Sequence, residues 1–178
     1  MKINLFKSSI LLTFCFVFVT GSLEAKAEPP NIVVNLHGTA KGVDKFIDGV
    51  PMVCFDVDLR NLNTGKVIGQ GTDCLNLLSN LPIGDDGGFG IDNTTFFNFH
   101  RGTVVALSRT TIQPAESGNG VFITGAVSVD EDNIQTELGT HRFRNATGKT
   151  RLSGIVDMSE FNENTIISFD CIFVIDLN

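Results

Sequence analysis

The chain has 178 residues, 42% of them apolar and 19% charged, with 18 Gly, 15 Phe, 4 Cys and neither Trp nor Tyr. That length makes one ordinary domain, and the charge fraction excludes both a disordered acidic tail and a coiled coil. A formal net charge of −7 argues against nucleic-acid binding, which needs a basic face, and the missing Trp argues against lipocalin and immunoglobulin cores.

Residues 1–27 read as a secretory signal peptide. Lys2 and Lys7 give a positive start, Ile10 to Val19 form an apolar run, and Ala25-Lys26-Ala27 has the small-x-small form of a cleavage site. The run falls short of the roughly 20 residues a spanning helix needs, and bulky Phe14 before Cys15 argues against a lipid anchor. The expected mature domain, residues 28–178, is secreted to an extracellular or periplasmic space with no membrane anchor after cleavage. It carries 10 basic and 19 acidic residues, net −9, and three cysteines, Cys54, Cys74 and Cys171. An odd count in an oxidising compartment predicts one disulfide and one free thiol.

From Asn31 onward apolar residues alternate with period two and helical periodicity is nearly absent, which predicts strands. Asn31–His37 alternates weakly. Val53, Phe55, Val57 and Leu59 share one face of a strand, with Cys54, Asp56, Asp58 and Arg60 on the other. The turn Asn63-Thr64-Gly65 leads to a return strand over Lys66–Leu75. A short helical turn is predicted over Leu75–Leu81, stopped by Pro82. Strands follow over Thr94–Phe99, Thr103–Ile112, Val121–Val129, Ile134–Leu138, Thr150–Met158 and Thr165–Leu177, separated by turn clusters. About eight or nine short strands so spaced predict an all-β domain, either a sandwich or a closed antiparallel barrel, and closure removes exposed edges.

A hairpin symmetric about residue 64 places Cys54 opposite Cys74, at bridging distance, and Asp73 opposite Phe55 on the apolar side. Cys171 shares the apolar face of the last strand with Phe169 and Phe173 and reads as a small buried hydrophobe. Arg109 shares a face with Thr103, Val105 and Leu107. If that face lines a cavity, Asp73 and Arg109 are desolvated there and are the ligand-binding candidates. Phosphate loops, a nucleophile elbow and zinc spacings are absent, and His37, His100 and His141 are far apart, so no cofactor or metal is expected. The acidic loops Asp85-Asp86 and Asp130-Glu131-Asp132 lack EF-hand spacing and read as solvated turns. Asn93 and Asn145 begin N-x-T sequons.

The segment Gly139-Thr140-His141-Arg142-Phe143-Arg144-Asn145-Ala146-Thr147-Gly148 resembles the G-T-G-x-F-x-x-A-x-G signature of the dirigent and allene oxide cyclase barrel superfamily. Phe97 to Leu107 is similar to the strands before that signature, and Phe169 to Ile175 to the closing strand. The resemblance implies a single closed antiparallel barrel of about eight strands around an apolar cavity, assembled as a homotrimer. Apolar residues on both faces of the last strand, including Ile166, Ile172 and Val174, agree with an assembly surface. No catalytic set is assigned. The leading expectation is a secreted barrel that binds a small apolar molecule in its cavity. The alternatives are a dirigent-like or cyclase-like enzyme that guides the stereochemistry of an apolar substrate, and a structural or interaction protein with a filled barrel. Cavity volume separates the first two from the third.

Overall fold

The computed structural model describes residues 31–83, 87–116, 118–127 and 133–178. The expected signal peptide, the acidic loops at 85–86 and 130–132, and the end of the strand expected over Val121–Val129 lie outside the described residues. The described chain is built from strands β1 (Ile32–Lys41), β2 (Val43–Ile47), β3 (Val50–Asn61), β4 (Val67–Ile83), β5 (Gly88–Phe99), β6 (Gly102–Pro114), β7 (Val121–Val127), β8 (Gly148–Asp157) and β9 (Ile166–Leu177). A 3₁₀ turn, His141–Phe143, precedes β8, and a four-residue helix, α1 (Phe161–Asn164), precedes β9.

The sheet runs β1-β9-β8-β7-β6-β5-β4-β3-β2, and β1 also pairs with β3. That pairing closes an eight-stranded antiparallel barrel and leaves β2 as an extra strand on the β3 side. β1 and β3 are in register from Val34↔Asn61 to His37↔Asp58, and β2 takes up β3 again at Val43↔Cys54. The Asp48-Gly49 turn between β2 and β3 has both residues at positive φ, 50° and 80°, as a two-residue hairpin of primed type requires. Asp-Gly is a recognised hairpin signal, and β2 is absent from the period-two reading because it is only five residues long. Its open edge is blunted by shortness and by Asp44 and Lys45, the latter 3.8 Å from Asp56.

Two elements differ from the sequence-based expectation. The helical turn predicted over Leu75–Leu81 is strand: β4 continues to Ile83, with a register shift against β5 between Asn76 and Leu81. Pro82 is tolerated because this stretch of β4 pairs with β5 and has no β3 partner, so a missing N–H breaks no ladder on that edge. The strand expected over Ile134–Leu138 reduces to one bridge, Ile134 to Ala106, before the chain turns.

The barrel is filled with aliphatic residues and Phe. Phe97 meets Phe173 edge-on with ring centroids 5.0 Å apart, and Phe55 lies 5.7 Å from Phe169. Leu36, Leu59, Ile91 and Ile175 are fully buried around them. Gly71 makes room for this packing, since a Cβ there would overlap Leu36 Cδ1.

Candidate functional site

The inward row Phe55↔Asp73↔Thr95 crosses β3, β4 and β5 and puts a carboxylate inside the barrel wall. Asp73 is 7% exposed. Its Oδ1 accepts from Thr95 Oγ1 at 2.7 Å and from Asn93 Nδ2 at 3.0 Å, while Asn93 Oδ1 accepts from Thr110 Oγ1 at 3.0 Å. Burial pushes the Asp73 carboxyl above the ordinary carboxylate range, partly offset by the bonds from Asn93 and Thr95. Among the described residues no cation pairs with it.

Cys171 lines the same interior cavity from β9. Its thiol is pushed up to about 12, first by burial and then by the Asp73 charge, and its Sγ is 3.6 Å from the Ile155 carbonyl oxygen. A thiol so held stays protonated and is a poor nucleophile. The cavity is lined by Asp73, Thr110, Thr124 and Cys171 among aliphatic and Phe side chains, and its volume is about 20 Å³. A water needs roughly 10–15 Å³ of such space, and small-molecule pockets run to about 300–1,000 Å³. The interior therefore has room for a water and not for a drug-sized molecule.

Arg109 is on the other side of the wall. Its guanidinium donates to Asp92 Oδ1 at 2.7 Å and to the Gly90 carbonyl at 3.4 Å on the outer face, and its side chain is 43% exposed. The face of β6 that carries Thr103, Val105, Leu107 and Arg109 looks outward, so Asp73 and Arg109 are not brought together. Val105 makes that face look internal from sequence. It is buried on the outside, beside the segment after residue 132, where Gln135 N–H donates to the Val105 carbonyl at 2.8 Å. Besides Asp73, the inward polar residues include Asn93, Thr95, Thr110 and Thr124, and the sequence signal of the first three of these is alternation with Ile91, Phe97 and Ile112. The sequon residue Asn93 is buried in this network and is closed to glycosylation in the folded chain, whereas Asn145 is exposed in a turn.

Cys54 and Cys74 are register partners with sulfurs 2.09 Å apart, as the hairpin symmetry predicts, and Cys171 is free and buried. Asn133 is a second polar tie. Its Nδ2 donates to Ser108 at 3.2 Å and to Thr150 Oγ1 at 2.9 Å, and its Oδ1 accepts from Thr150 N–H at 2.7 Å, linking β6 to β8.

Outside the barrel, the end formed by the β2–β3 hairpin and the β4 extension exposes Phe46 by 76% and Leu78 by 82%. They border a groove of about 360 Å³ that also touches Pro51, Met52 and Leu77. No group of His, Cys, Asp or Glu suited to a metal, and no helix long and apolar enough to cross a membrane, occurs among the described residues. No family model, curated protein or solved structure matches the chain.

Proposed function

We propose that the chain is a secreted, non-enzymatic interaction protein: a filled, disulfide-braced barrel whose outer surface does the work. The observation that carries this reading is the interior volume of about 20 Å³, far below what a small organic molecule needs. A high-pKa buried thiol and a buried carboxylate without a cation also make a weak catalytic set. The apolar hairpin end is a natural contact surface, because exposed aliphatic and aromatic residues gathered in one place favour association. Secretion rests on the signal-like start of the sequence and on the bridged Cys54 and Cys74. The same outer wall supports assembly into a homotrimer, since β7, β8 and β9 expose Ile123, Ile155 and Ile172.

Native mass spectrometry of protein purified from its source tests the reading. The expected mass is that of the mature chain or its oligomer with one disulfide and nothing retained. A stoichiometric small-molecule adduct overturns it and favours the second reading, a small apolar molecule held inside and oriented by Asp73. That alternative is kept because Asp73 faces the cavity.

A further inference from the structure

The ends of the barrel carry opposite charge. The turns at 61–66 and 100–101 and the described part of the β7–β8 connection, 133–147, contain Lys66, His100, Arg101, His141, Arg142 and Arg144 against one acidic residue, Glu137. The strand directions put all three turns at one end, since β3, β5 and β9 finish there and β4, β6 and β8 start there. The opposite connections at 48–49, 115–120 and 158–165 contain Asp48, Glu116, Glu160 and Glu163 and no Lys, Arg or His.

The arginines divide the same way. Arg60, Arg109 and Arg151 are paired with Asp58, Asp92 and Asp176. Arg101, Arg142 and Arg144 have no carboxylate partner among the described residues, and all three are exposed. They are also held together. Arg142 N–H donates to the Arg101 carbonyl at 3.2 Å, and Phe143, between Arg142 and Arg144, is buried with its ring 5.6 Å from Phe99. A cleft of about 470 Å³ opens beside them, lined in part by Arg142, Arg144, Ile32 and Leu177. Leu62 and Leu138 are exposed at the same end.

We infer that this end docks on an anionic phospholipid surface, with Arg101, Arg142 and Arg144 on headgroup phosphates and Leu62 and Leu138 reaching the interface. Guanidinium matches phosphate oxygens two at a time, and several guanidiniums on a rigid base fit an array of phosphates better than one ion. Exposed leucines beside the cations fit an interface that is both charged and apolar. The acidic character of the whole chain does not oppose this. The 12 residues of tilted β5 separate the ends by roughly 30 Å, against a screening length of about 8 Å in physiological salt. The inference holds whether or not the interior takes a ligand.

Cosedimentation of the mature protein with phosphatidylglycerol-rich and pure phosphatidylcholine vesicles decides it. The expected result is at least about tenfold tighter binding to the anionic vesicles, weakened by salt as counterion-linked contacts are. Arg101→Gln, Arg142→Gln and Arg144→Gln together should abolish that preference while the melting temperature is kept. Glu160→Gln with Glu163→Gln, at the far end, should leave it intact. Equal binding to both vesicle types, no binding to either, or unchanged binding by the triple variant overturns the inference. Displacement by millimolar inorganic phosphate at constant ionic strength also overturns it, because the site then serves free phosphate.

Discussion

Asp73 sits where an ionised carboxylate is costly. Its pKa is raised above the ordinary 3.8 in the fold, so the stability it contributes is complete below that ordinary value and is lost as pH rises through the folded value. Asp73→Asn keeps an oxygen to accept from Thr95 and Asn93 but cannot ionise. The melting-temperature advantage of that variant over the parent should therefore widen as pH is raised from about 4 to about 8; a pH-independent gap would contradict the assignment. The Cys54–Cys74 bridge closes a span of 20 residues, and Cys54→Ala with Cys74→Ala should cost about 3 kcal/mol in denaturant unfolding. Cys171 should resist alkylation until the chain is unfolded, and rapid labelling of the native protein would refute its burial. Asp73 and the cysteine pair were legible from residue order because one hairpin symmetry about residue 64 sets both, and that register holds from Val53↔Leu75 to Leu59↔Gly69. Arg109 was not legible. Alternation assigns a residue to a face but not the face to a side, and buried Val105 on the outer wall gives the wrong sign.

Among the elements, most strands follow from period-two alternation, and the exceptions have identifiable physical causes. Leu75, Leu77, Leu78 and Leu81 have helical spacing, yet Leu75 pairs with Val53 of β3 and β4 runs on past β3 to Ile83, taking up β5 again at Leu81↔Gly90, so that sheet pairing outweighs local pattern. Ile134 looks like the start of a strand because it is apolar and buried, but the chain makes one bridge there and is held instead by Asn133. That side chain ties β6 to β8 across the segment after β7, a connection no sequence pattern announces. Asn133→Ala removes its bonds to Ser108 and Thr150 and leaves buried Thr150 groups unpaired. It should cost about 1–3 kcal/mol, with hydrogen exchange fastest at the Leu107 and Gln135 amides, which bridge this segment to β6. Uniform acceleration across the barrel would mean that Asn133 is no local tie.

For the whole molecule, the number of strands allows a sandwich or a closed barrel, the family resemblance implies closure, and a filled interior stands only as one alternative, because sequence gives the composition of an interior and not its free volume. Phe97, Phe173, Phe55 and Phe169 meet across the axis and occupy the space a ligand would take. The homotrimer proposal belongs to this scale as well. Light scattering after gel filtration should give three times the chain mass, and Ile155→Asp, on the exposed outer wall, should reduce it to the monomer; a monomeric parent at micromolar concentration would end that proposal. The proposed function requires that the barrel hold its own side chains and no guest. Methyl-resolved NMR during titration with a medium-chain fatty acid, and separately with a simple phenol, tests it most directly. No saturable shift is expected at Leu36, Leu75, Ile112 or Ile167, which line the interior cavity. Saturable shifts at those four interior residues, with the outer Leu78 and Leu81 unmoved, would contradict it.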